Sequence, residues 1–545
     1  MIQDHPATIA TADGTERRFA DSLATSSPIA PAAPFLRSIV FLGGLSSIGI
    51  ELTTSRLIAP YFGGSTFIWA NLIGVTLAFL SLGYWIGGRV ADRRPSPRVL
   101  YTVTAVGAIL AGLIPFVSRP ILSASLTAFE NVNIGAFYAS LIGVLLLLAL
   151  PVTLLGFVSP FAIRLRMADV TTAGNTAGNM YALSTLGSIA GSFLPVIVLI
   201  PLFGTARTFL ILSFTLLIPS LLGLLMLRAV PLASLTALLA LAVIVLSLGF
   251  DKGAIRPAER GRLIEERESE YNYIQVVEED GRYLLALNEG HAIHSIYDPA
   301  ELLTQGPWDY FMVAPLFNEG ASPTSTESAL LIGLAGGTVA RQLTAGYGDI
   351  PIDGVEIDPE IAEIGRTYFG LDRLDNLAVV VEDGRYFLRT TDKRYDLIGI
   401  DAYRQPYIPF QLTSREFFQE VADHLNPGGV AVVNAGRTAT DFRLVEAIAS
   451  TMRAVYDNVY VIDVERYANS IVVGTNAPSG IAQFAVSAAR FPADSPVRLV
   501  AERSLATGNM RQVEPGGQVF TDDHAPVELV VDQIILDAAR EETGS

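Results

Sequence analysis

The chain contains no cysteine, and charged residues make up only 17% of its 545 residues. The absence of cysteine excludes disulfide bonds, thiolate catalysis and cysteine-bound metals. The charged fraction is below the roughly 25% of soluble domains. Residues 1–250 contain no lysine, 13 arginines and 8 acidic residues, net +5, whereas the remainder holds 24 basic and 46 acidic residues, net −22. A weakly basic apolar half therefore precedes an acidic half, whose charge favours solubility and disfavours nucleic-acid binding.

Long apolar runs fill the region from residue 35 to residue 250. A helix that crosses a bilayer needs about 20 such residues, so the sequence predicts an α-helical transmembrane domain, 35–250, of about seven spans. The spans are expected at roughly 35–59, 66–88, 99–118, 134–158, 179–203, 206–227 and 230–250. Residues 1–34 lack the pattern of a signal peptide and are predicted to be a disordered tail.

The arginines predict an orientation, because positive charge favours the cytoplasmic side of a membrane. The basic residues of 89–98, 164–166, 228 and 252–262 are assigned to one side. This assignment predicts a multi-pass protein of the inner (plasma) membrane, with its N-terminus outside and its acidic half in the cytoplasm. Within the first span, Glu51 is a candidate functional acid or a structural partner of Arg56.

The second half is predicted to be α/β. A charged linker, 251–267, precedes a small β-hairpin domain, 268–305, whose strands alternate around the turn 279–281. In the last domain, 306–545, the order β-α-β-α-β-β-α-β favours an open parallel sheet with helices on both faces, as in a Rossmann-like methyltransferase fold.

The segment 330–369 is typical of a nucleoside-binding unit. A buried strand leads into a glycine turn that includes Gly333, Ala335 and Gly337, and the next strand ends at Glu356 and Asp358. An acid at that place accepts hydrogen bonds from ribose hydroxyls. NAD and S-adenosylmethionine sites share this spacing, so the pattern alone leaves the nucleoside open.

Two further strands deliver acids to the same edge of the predicted sheet, Asp383 and Asp401. Ligands of open α/β sheets bind beyond the carboxyl ends of the strands. A pyrophosphate would meet several negative charges there, so the acids favour a sulfonium nucleoside, although Asp383 and Asp401 could instead be helix N-caps.

At these residues the chain resembles the spermidine synthase (aminopropyltransferase) family. The resemblance covers about 265–475 and is carried by SEYNYIQVV, LIGLAGGTVARQL, GVEIDPEIAEIGRTYF, VEDGRYFL and YDLIGID. The segments GIELTTSRLIAPYFGGS, LGYWIGGRVADRR and TDDHAPVE resemble bacterial membrane proteins that fuse a multi-span domain to such a domain. The resemblance implies decarboxylated S-adenosylmethionine as donor substrate, a small-molecule amine as acceptor, and often a homodimer.

The resemblance also implies roles for individual residues. Glu356 would bind ribose hydroxyls, and Asp383 and Gly384 would hold the adenine. Asn272 stands where the family usually has a nucleoside-contacting Gln, and Asp309 stands near an acid that meets an amine.

Two positions depart from the family pattern. The family's catalytic Asp lies three residues after the position of Asp401, where this chain has Arg404, and the glycine turn lacks the family's amine-binding acid. An arginine cannot take a proton from an ammonium group and would repel a diamine. We therefore expect Asp401 to be the catalytic base, with Asp309 second and with Tyr403 and Tyr407 shaping the acceptor side.

These observations predict a membrane-anchored aminopropyltransferase-like enzyme of polyamine biosynthesis. An S-adenosylmethionine-dependent methyltransferase, and a non-catalytic polyamine or nucleoside sensor or transporter, are the alternatives. No metal is expected, because His291 and His294 lack a recognisable third ligand. The segment 522–524 could close over the site or be a surface turn.

Overall fold

The protein is described by a computed structural model that covers residues 33–62, 66–129, 135–167, 172–250, 256–288, 292–403 and 407–543. Its first half is α-helical, and its second half combines two β-sheets with helices. Most of the predicted tail, 1–34, lies outside these ranges, and its last two residues begin the first helix.

Long apolar segments form the helices of the first half. They are α1 (Ala33–Phe62), α2 (Thr66–Arg93), α3 (Pro97–Phe129), α4 (Gly135–Gly156), α5 (Val158–Arg166), α6 (Ala173–Leu194), α7 (Ile200–Met226) and α8 (Val230–Phe250). A short π-helical turn, Pro195–Leu199, joins α6 to α7. Within the described ranges, six continuous helical stretches are long and apolar enough to cross a membrane.

The longest of these six stretches, Ala173–Met226, contains 54 residues. An unbroken helix of that size would be about 80 Å long, which exceeds the roughly 30 Å of a bilayer core. Gly204 interrupts it with φ 77° and ψ 168°, values that glycine adopts without steric cost. The break separates two arms that correspond to the predicted fifth and sixth spans, which reconciles six continuous stretches with the seven expected spans.

Close packing between α1 and α6 depends on glycine. A Cβ atom at Gly187 would lie 1.9 Å from the carbonyl oxygen of Phe41, and one at Gly44 would lie 2.1 Å from that of Ser184. The two backbones are therefore in direct contact. Small residues commonly permit this packing between helices in lipid.

Most arginines of the helical half gather at one end of it. Arg164 pairs with Asp92 at 3.2 Å, and Arg98 donates to the carbonyl oxygen of Leu227 at 3.4 Å. These contacts bring together the ends of α2, α5 and α7 and the start of α3. The arginines of 89–98, 164–166 and 228 therefore share one end.

The acidic half contacts the opposite end of the helical half. Arg256 donates to the carbonyl oxygen of Pro60 at 2.6 Å, and Arg56 donates to that of Ser269 at 3.3 Å. The predicted grouping of Arg256, Arg260 and Arg262 with the arginines of 89–98 is therefore wrong, and Lys252 lies outside the described residues. The physical reason is the number of crossings. The arginines of 89–98 follow an even number of spans and the segment after the last span follows an odd number, so the two lie on opposite sides.

The first sheet has four antiparallel strands in chain order. They are β1 (Arg262–Glu268), β2 (Tyr273–Glu279), β3 (Arg282–Leu287) and β4 (Ile293–Tyr297). The predicted hairpin is confirmed, because Asp280 and Gly281 have φ values of 52° and 81° between β2 and β3. Two successive positive φ values are typical of a type I′ turn.

Strand β1 falls within the predicted linker, 251–267, and that prediction is wrong over Arg262–Arg267. The charged side chains of β1 find partners across the fold: Arg262 pairs with Glu278 at 2.7 Å and Arg267 with Glu360 at 2.8 Å. Charged edge strands are common because they resist pairing with other chains. Charge composition alone therefore did not distinguish this strand from a linker.

The second sheet has eight strands in the order β12-β10-β11-β9-β8-β5-β6-β7. The strands are β5 (Ala329–Ile332), β6 (Ile352–Glu356), β7 (Leu377–Val381), β8 (Tyr395–Ile400), β9 (Leu425–Gly436), β10 (Asn458–Asp463), β11 (Asn469–Thr475) and β12 (Met510–Gln512). Strands β5–β9 are parallel, as predicted. The last three are antiparallel additions, because the connection 464–468 is too short for a parallel crossover.

Helices cover both faces of the second sheet. They are α9 (Thr338–Tyr347), α10 (Pro359–Tyr368), α11 (Gly384–Thr390), α12 (Arg415–Asp423), α13 (Arg443–Arg453), α14 (Ile481–Ala488), α15 (Pro496–Thr507) and α16 (Val527–Thr543). Two apolar cores result, since successive residues of a strand face opposite sides. The core that contains Leu331 includes residues of α9, α14 and α15, and the core that contains Leu330 includes residues of α11, α12, α13 and α16. The predicted order omitted α11, which has only 7 residues.

Candidate functional site

A cavity of about 460 Å³ opens beyond the carboxyl ends of β5, β6, β7 and β8. The segment 270–272, between β1 and β2, closes one side of it, and Glu528 of α16 closes another. Parallel strands deliver their carboxyl ends to one edge, so the predicted strand-end residues converge here.

The glycine turn after β5 forms the floor of the cavity. Gly333 and Ala335 line it, with φ values of 87° and 48°. A Cβ atom at Gly333 would lie 2.4 Å from the carbonyl oxygen of Asp401, so only glycine lets the ends of β5 and β8 approach. Gly337 does not line the cavity. It starts α9 with φ 79°, and a Cβ atom there would lie 2.1 Å from Leu371 Cδ2.

Glu356 ends β6 and lines the cavity. Its Oε2 accepts from the amide of Ala335 at 2.9 Å, and its Oε1 accepts from the amide of Asp358 at 3.1 Å. Burial raises the pKa of this carboxyl to about 7, and the two backbone hydrogen bonds partly offset that rise. Each oxygen retains a lone pair, so the carboxylate can accept a pair of ribose hydroxyls.

Asp358 is fully buried and does not line the cavity. Its side chain caps α10 by accepting from the amide of Glu360 at 3.0 Å. Ser269 Oγ and Asn272 Nδ2 donate to its other oxygen at 2.5 and 2.9 Å. Its carboxylate therefore joins the two sheets and is committed to structure.

Asn272 lines the cavity, as predicted, although its side chain also makes structural bonds. Its Nδ2 donates to Asp358, and its Oδ1 accepts from Asn288 Nδ2 at 3.0 Å. The neighbouring Glu270 and Tyr271 line the cavity too, and neither was predicted from the sequence. Their hydrogen bond raises the pKa of Tyr271 to about 12.

Asp383 and Gly384 line the cavity at the end of β7. Asp383 is the N-cap of α11, and its Oδ1 accepts from the amides of Arg385 and Tyr386 at 3.0 and 2.9 Å. Both capping bonds use one oxygen, so the second can accept from a ligand such as an adenine amine. The capping and ligand-binding roles proposed from the sequence are therefore compatible.

Asp401 follows β8 and lines the cavity. Its Oδ1 accepts from Asn434 Nδ2 at 2.9 Å. Burial raises the pKa of Asp401 to about 6, and hydrogen bonds from Asn434 and Trp308 limit the rise. A carboxylate with this pKa is ionised at neutral pH and can accept a proton.

The acceptor side predicted from the sequence lies beside Asp401. Tyr403 and Tyr407 both line the cavity. Tyr403 donates to the carbonyl oxygen of Asn434 at 3.0 Å, and Tyr407 donates to Asp532 Oδ1 at 2.6 Å. Helix α16 supplies Asp532 and Glu528, and neither residue was predicted from the sequence. The spacing of these two acids, four residues apart, places both on one helix face and could have indicated them.

Asp309 does not reach the cavity. It is fully buried, and Thr304, Gln305 and Gln342 saturate its carboxylate with hydrogen bonds of 2.7–2.9 Å. Arg503 lies 3.5 Å away on the same group. Its predicted role as an amine ligand does not fit this placement, because the side chain lies outside the cavity lining and is held by other parts of the chain.

Asp522 also lies outside the cavity lining and supports Arg385. Arg385 Nη1 donates to Asp522 Oδ1 at 2.7 Å, and Ser414 Oγ donates to the same oxygen at 2.5 Å. The backbones of Thr521 and His524 pair with each other in a surface turn. The segment 522–524 is thus a turn that stabilises the start of α11.

Arg404 and His291 lie outside the described residues, and His294 lines the cavity. Within the described ranges, no group of three His, Cys, Asp or Glu side chains could hold a metal ion.

The chain is similar to several known proteins. The sequence profile of the spermine/spermidine synthase domain matches residues 317–477. A probable polyamine aminopropyl transferase from Bifidobacterium longum is 32% identical over 293 residues, which are 50% of this chain and 64% of that protein. A polyamine aminopropyltransferase from Vibrio vulnificus is 30% identical over 219 residues, which are 39% of this chain and 71% of that protein. Among solved structures, a probable spermidine synthase from Corynebacterium glutamicum is 21% identical, with a TM-score of 0.39, over 49% of this chain and 97% of its own.

Proposed function

Because the chain belongs to the spermine/spermidine synthase family, we propose that it is a membrane-anchored transferase. It would move an aminopropyl group from decarboxylated S-adenosylmethionine to an amine. The observation that carries the proposal is a single cavity that combines Glu356, Asp383 and Asp401 at successive strand ends.

The strand order gives the donor one direction across the cavity. Asp383 follows β7, Glu356 ends β6, the glycine turn follows β5, and Asp401 follows β8, and these four strands are neighbours in that order. Neighbouring strands lie about 4.8 Å apart. An adenine at Asp383 and a ribose at Glu356 would therefore place the sulfonium over β5, next to Asp401.

The transfer needs little covalent chemistry from the protein. The acceptor nitrogen attacks the carbon attached to sulfur, a C–N bond forms, the C–S bond breaks, and methylthioadenosine leaves with the electron pair. The proton released by the new ammonium group passes to the carboxylate of Asp401. Catalysis rests on alignment of the two reactants and on this proton transfer.

The acceptor would bind between Asp401 and α16. Tyr403, Tyr407 and Glu528 line that end of the cavity. Arg404 occupies the position of the family's catalytic Asp in the sequence, so we propose an acceptor amine other than a simple diamine.

A methyltransferase is the second candidate function. The turn GLAGG carries no acid, so no side chain of it can hold the amine end of the donor. Because the cavity lacks that acid, we propose S-adenosylmethionine as the alternative donor for the same nucleoside cavity.

The test uses the full-length protein purified in detergent. Calorimetry with decarboxylated S-adenosylmethionine, S-adenosylmethionine and methylthioadenosine would measure binding, and product analysis with a panel of amines would measure transfer. We expect tight binding of the decarboxylated donor and release of methylthioadenosine. Asp401→Asn should slow release about 10²-fold or more, whereas the exposed Asp392→Asn, in the segment before β8, should not.

The other outcomes discriminate between the candidates. Methyl transfer from S-adenosylmethionine would establish the second candidate. Binding without turnover would favour a sensor or transporter, and no binding of any of the three nucleosides would overturn both enzyme proposals.

A further inference from the structure

The break at Gly204 is capped by the acidic half of the chain. Thr205 donates from its backbone nitrogen to Glu268 Oε2 at 3.0 Å and from Oγ1 to Glu268 Oε1 at 2.6 Å. Glu268 ends β1, in the first sheet. The first amides of a helical arm have no partner within the helix and carry partial positive charge, so a carboxylate binds them well.

A second contact from the helical half holds the same segment. Arg56 of α1 donates to the carbonyl oxygen of Ser269 at 3.3 Å. A small cavity of about 90 Å³ lies at this junction, between Arg56 and Trp69 on the helical side and Glu268, Tyr271 and Asn272 on the other. Tyr271 and Asn272 also line the larger cavity, so they form a wall between the membrane helices and the candidate nucleoside site.

Hydrogen bonds also link this wall to Glu356, the acid proposed to bind the ribose. Ser269 Oγ and Asn272 Nδ2 both donate to Asp358, whose amide donates to Glu356 Oε1 at 3.1 Å. Hydrogen bonds, together with the peptide bond from Glu268 to Ser269, therefore connect Thr205 and the capped break with Glu356.

We propose that Glu268 is a positioning residue through which the membrane helices fix the segment 269–272 and complete the nucleoside cavity. Without the helical half, the acidic half would keep its fold, but the segment 269–272 would lose its fixed position. A wall that is ordered before the ligand arrives lowers the entropic cost of binding. This inference rests on the proposed function only in naming a nucleoside as the ligand.

The test compares three substitutions in the full-length protein. Thr205→Val removes the hydroxyl donor and retains the side-chain shape, and Thr205→Ser restores the donor. Thr215→Val is the matched control, because the Thr215 hydroxyl bonds Ile211 of the same helical arm rather than the acidic half. Calorimetry gives the Kd for decarboxylated S-adenosylmethionine, and kinetics separate the donor KM from kcat.

We expect Thr205→Val to raise the Kd and the donor KM about three- to tenfold, the range of a typical net hydrogen-bond contribution. At saturating donor, kcat should stay near the wild-type value. Thr205→Ser and Thr215→Val should bind as the wild type does. Equal affinities for Thr205→Val and wild type, or equal losses in Thr205→Val and Thr215→Val, would overturn the proposal.

Hydrogen exchange separates this inference from the proposed function. Amides of 269–272 should exchange faster in Thr205→Val than in Thr215→Val with no ligand present. If the wild type bound no nucleoside, faster exchange would still support the positioning role while the enzyme proposal failed. Unchanged exchange would refute the positioning role directly.

Discussion

Asp401 is the residue on which the proposed chemistry depends most. Burial raises its pKa to about 6, and a general base acts only when ionised. We therefore expect kcat/KM to rise with pH through about 6 as the Asp401 carboxyl loses its proton. The pH–rate profile measures this, and in Asp401→Asn the rate should fall about 10²-fold or more. A residual activity that kept the step near pH 6 would assign the base to another group.

Glu356 should control donor affinity rather than the chemical step. Its pKa is raised to about 7, and the ionised form is the better acceptor for ribose hydroxyls. Binding of the donor should therefore weaken as pH falls through about 7. Glu356→Gln should raise the Kd about tenfold and make it independent of pH, and titration calorimetry at several pH values measures both. The exposed Glu301→Gln is the matched control, and a pH dependence that survived in Glu356→Gln would contradict the assignment.

Residues of the site were predictable where their position follows from one strand. Glu356, Asp383 and Asp401 each follow a short apolar run, so the parallel sheet alone brings them together. Asp358 and Asp309 carry the same chemistry but meet donors from distant parts of the chain, such as Ser269 and Gln342. No local sequence pattern indicates which carboxylate is already hydrogen-bonded to such donors.

At the scale of elements, Gly337 at the start of α9 has a structural role and not a ligand-binding one. Gly337 and Gly508 both have left-handed backbone angles, φ 79° with ψ 23° and φ 60° with ψ 29°, and a Cβ atom would clash with buried Leu371 only at Gly337. Gly508→Ala should lower the free energy of unfolding by about 1 kcal/mol through backbone strain, and Gly337→Ala by about 1–3 kcal/mol more.

Thermal unfolding of both variants measures this difference. Donor affinity below the unfolding transition should not change in Gly337→Ala, because Gly337 does not line the cavity. A weakened Kd in a variant that is still folded would restore the binding role predicted for this glycine.

Elements whose own sequence has a regular apolar pattern or a clear turn were predicted. Elements whose place depends on contacts with other parts of the chain were not. The parallel strands and the hairpin have apolar runs or a clear turn. By contrast, β1 is a charged edge strand, and α16 becomes part of the site only because it folds across Tyr407. The antiparallel edge formed by β10, β11 and β12 depends on the short connection 464–468. The apolar pattern alone did not predict this edge.

At the scale of the whole molecule, charge and architecture together predict an orientation for the proposed membrane protein. The arginines of 89–98, 164–166 and 228 share the end of the helical half opposite the acidic half. Because positive charge favours the cytoplasm, we propose that the acidic half faces away from it, in contrast to the orientation predicted from the sequence.

The absence of cysteine makes this orientation directly measurable, since one introduced cysteine is the only thiol in the chain. In intact cells, a membrane-impermeant maleimide should label Asp392→Cys in the acidic half. It should label the exposed Gly174→Cys, at the arginine-rich end, only after permeabilisation. The reverse pattern would place the cavity in the cytoplasm, where a cytosolic nucleoside donor reaches it directly. The expected pattern would instead require the donor to arrive from outside or through the helices, and would make the capped break at Gly204 the first place to look for its path.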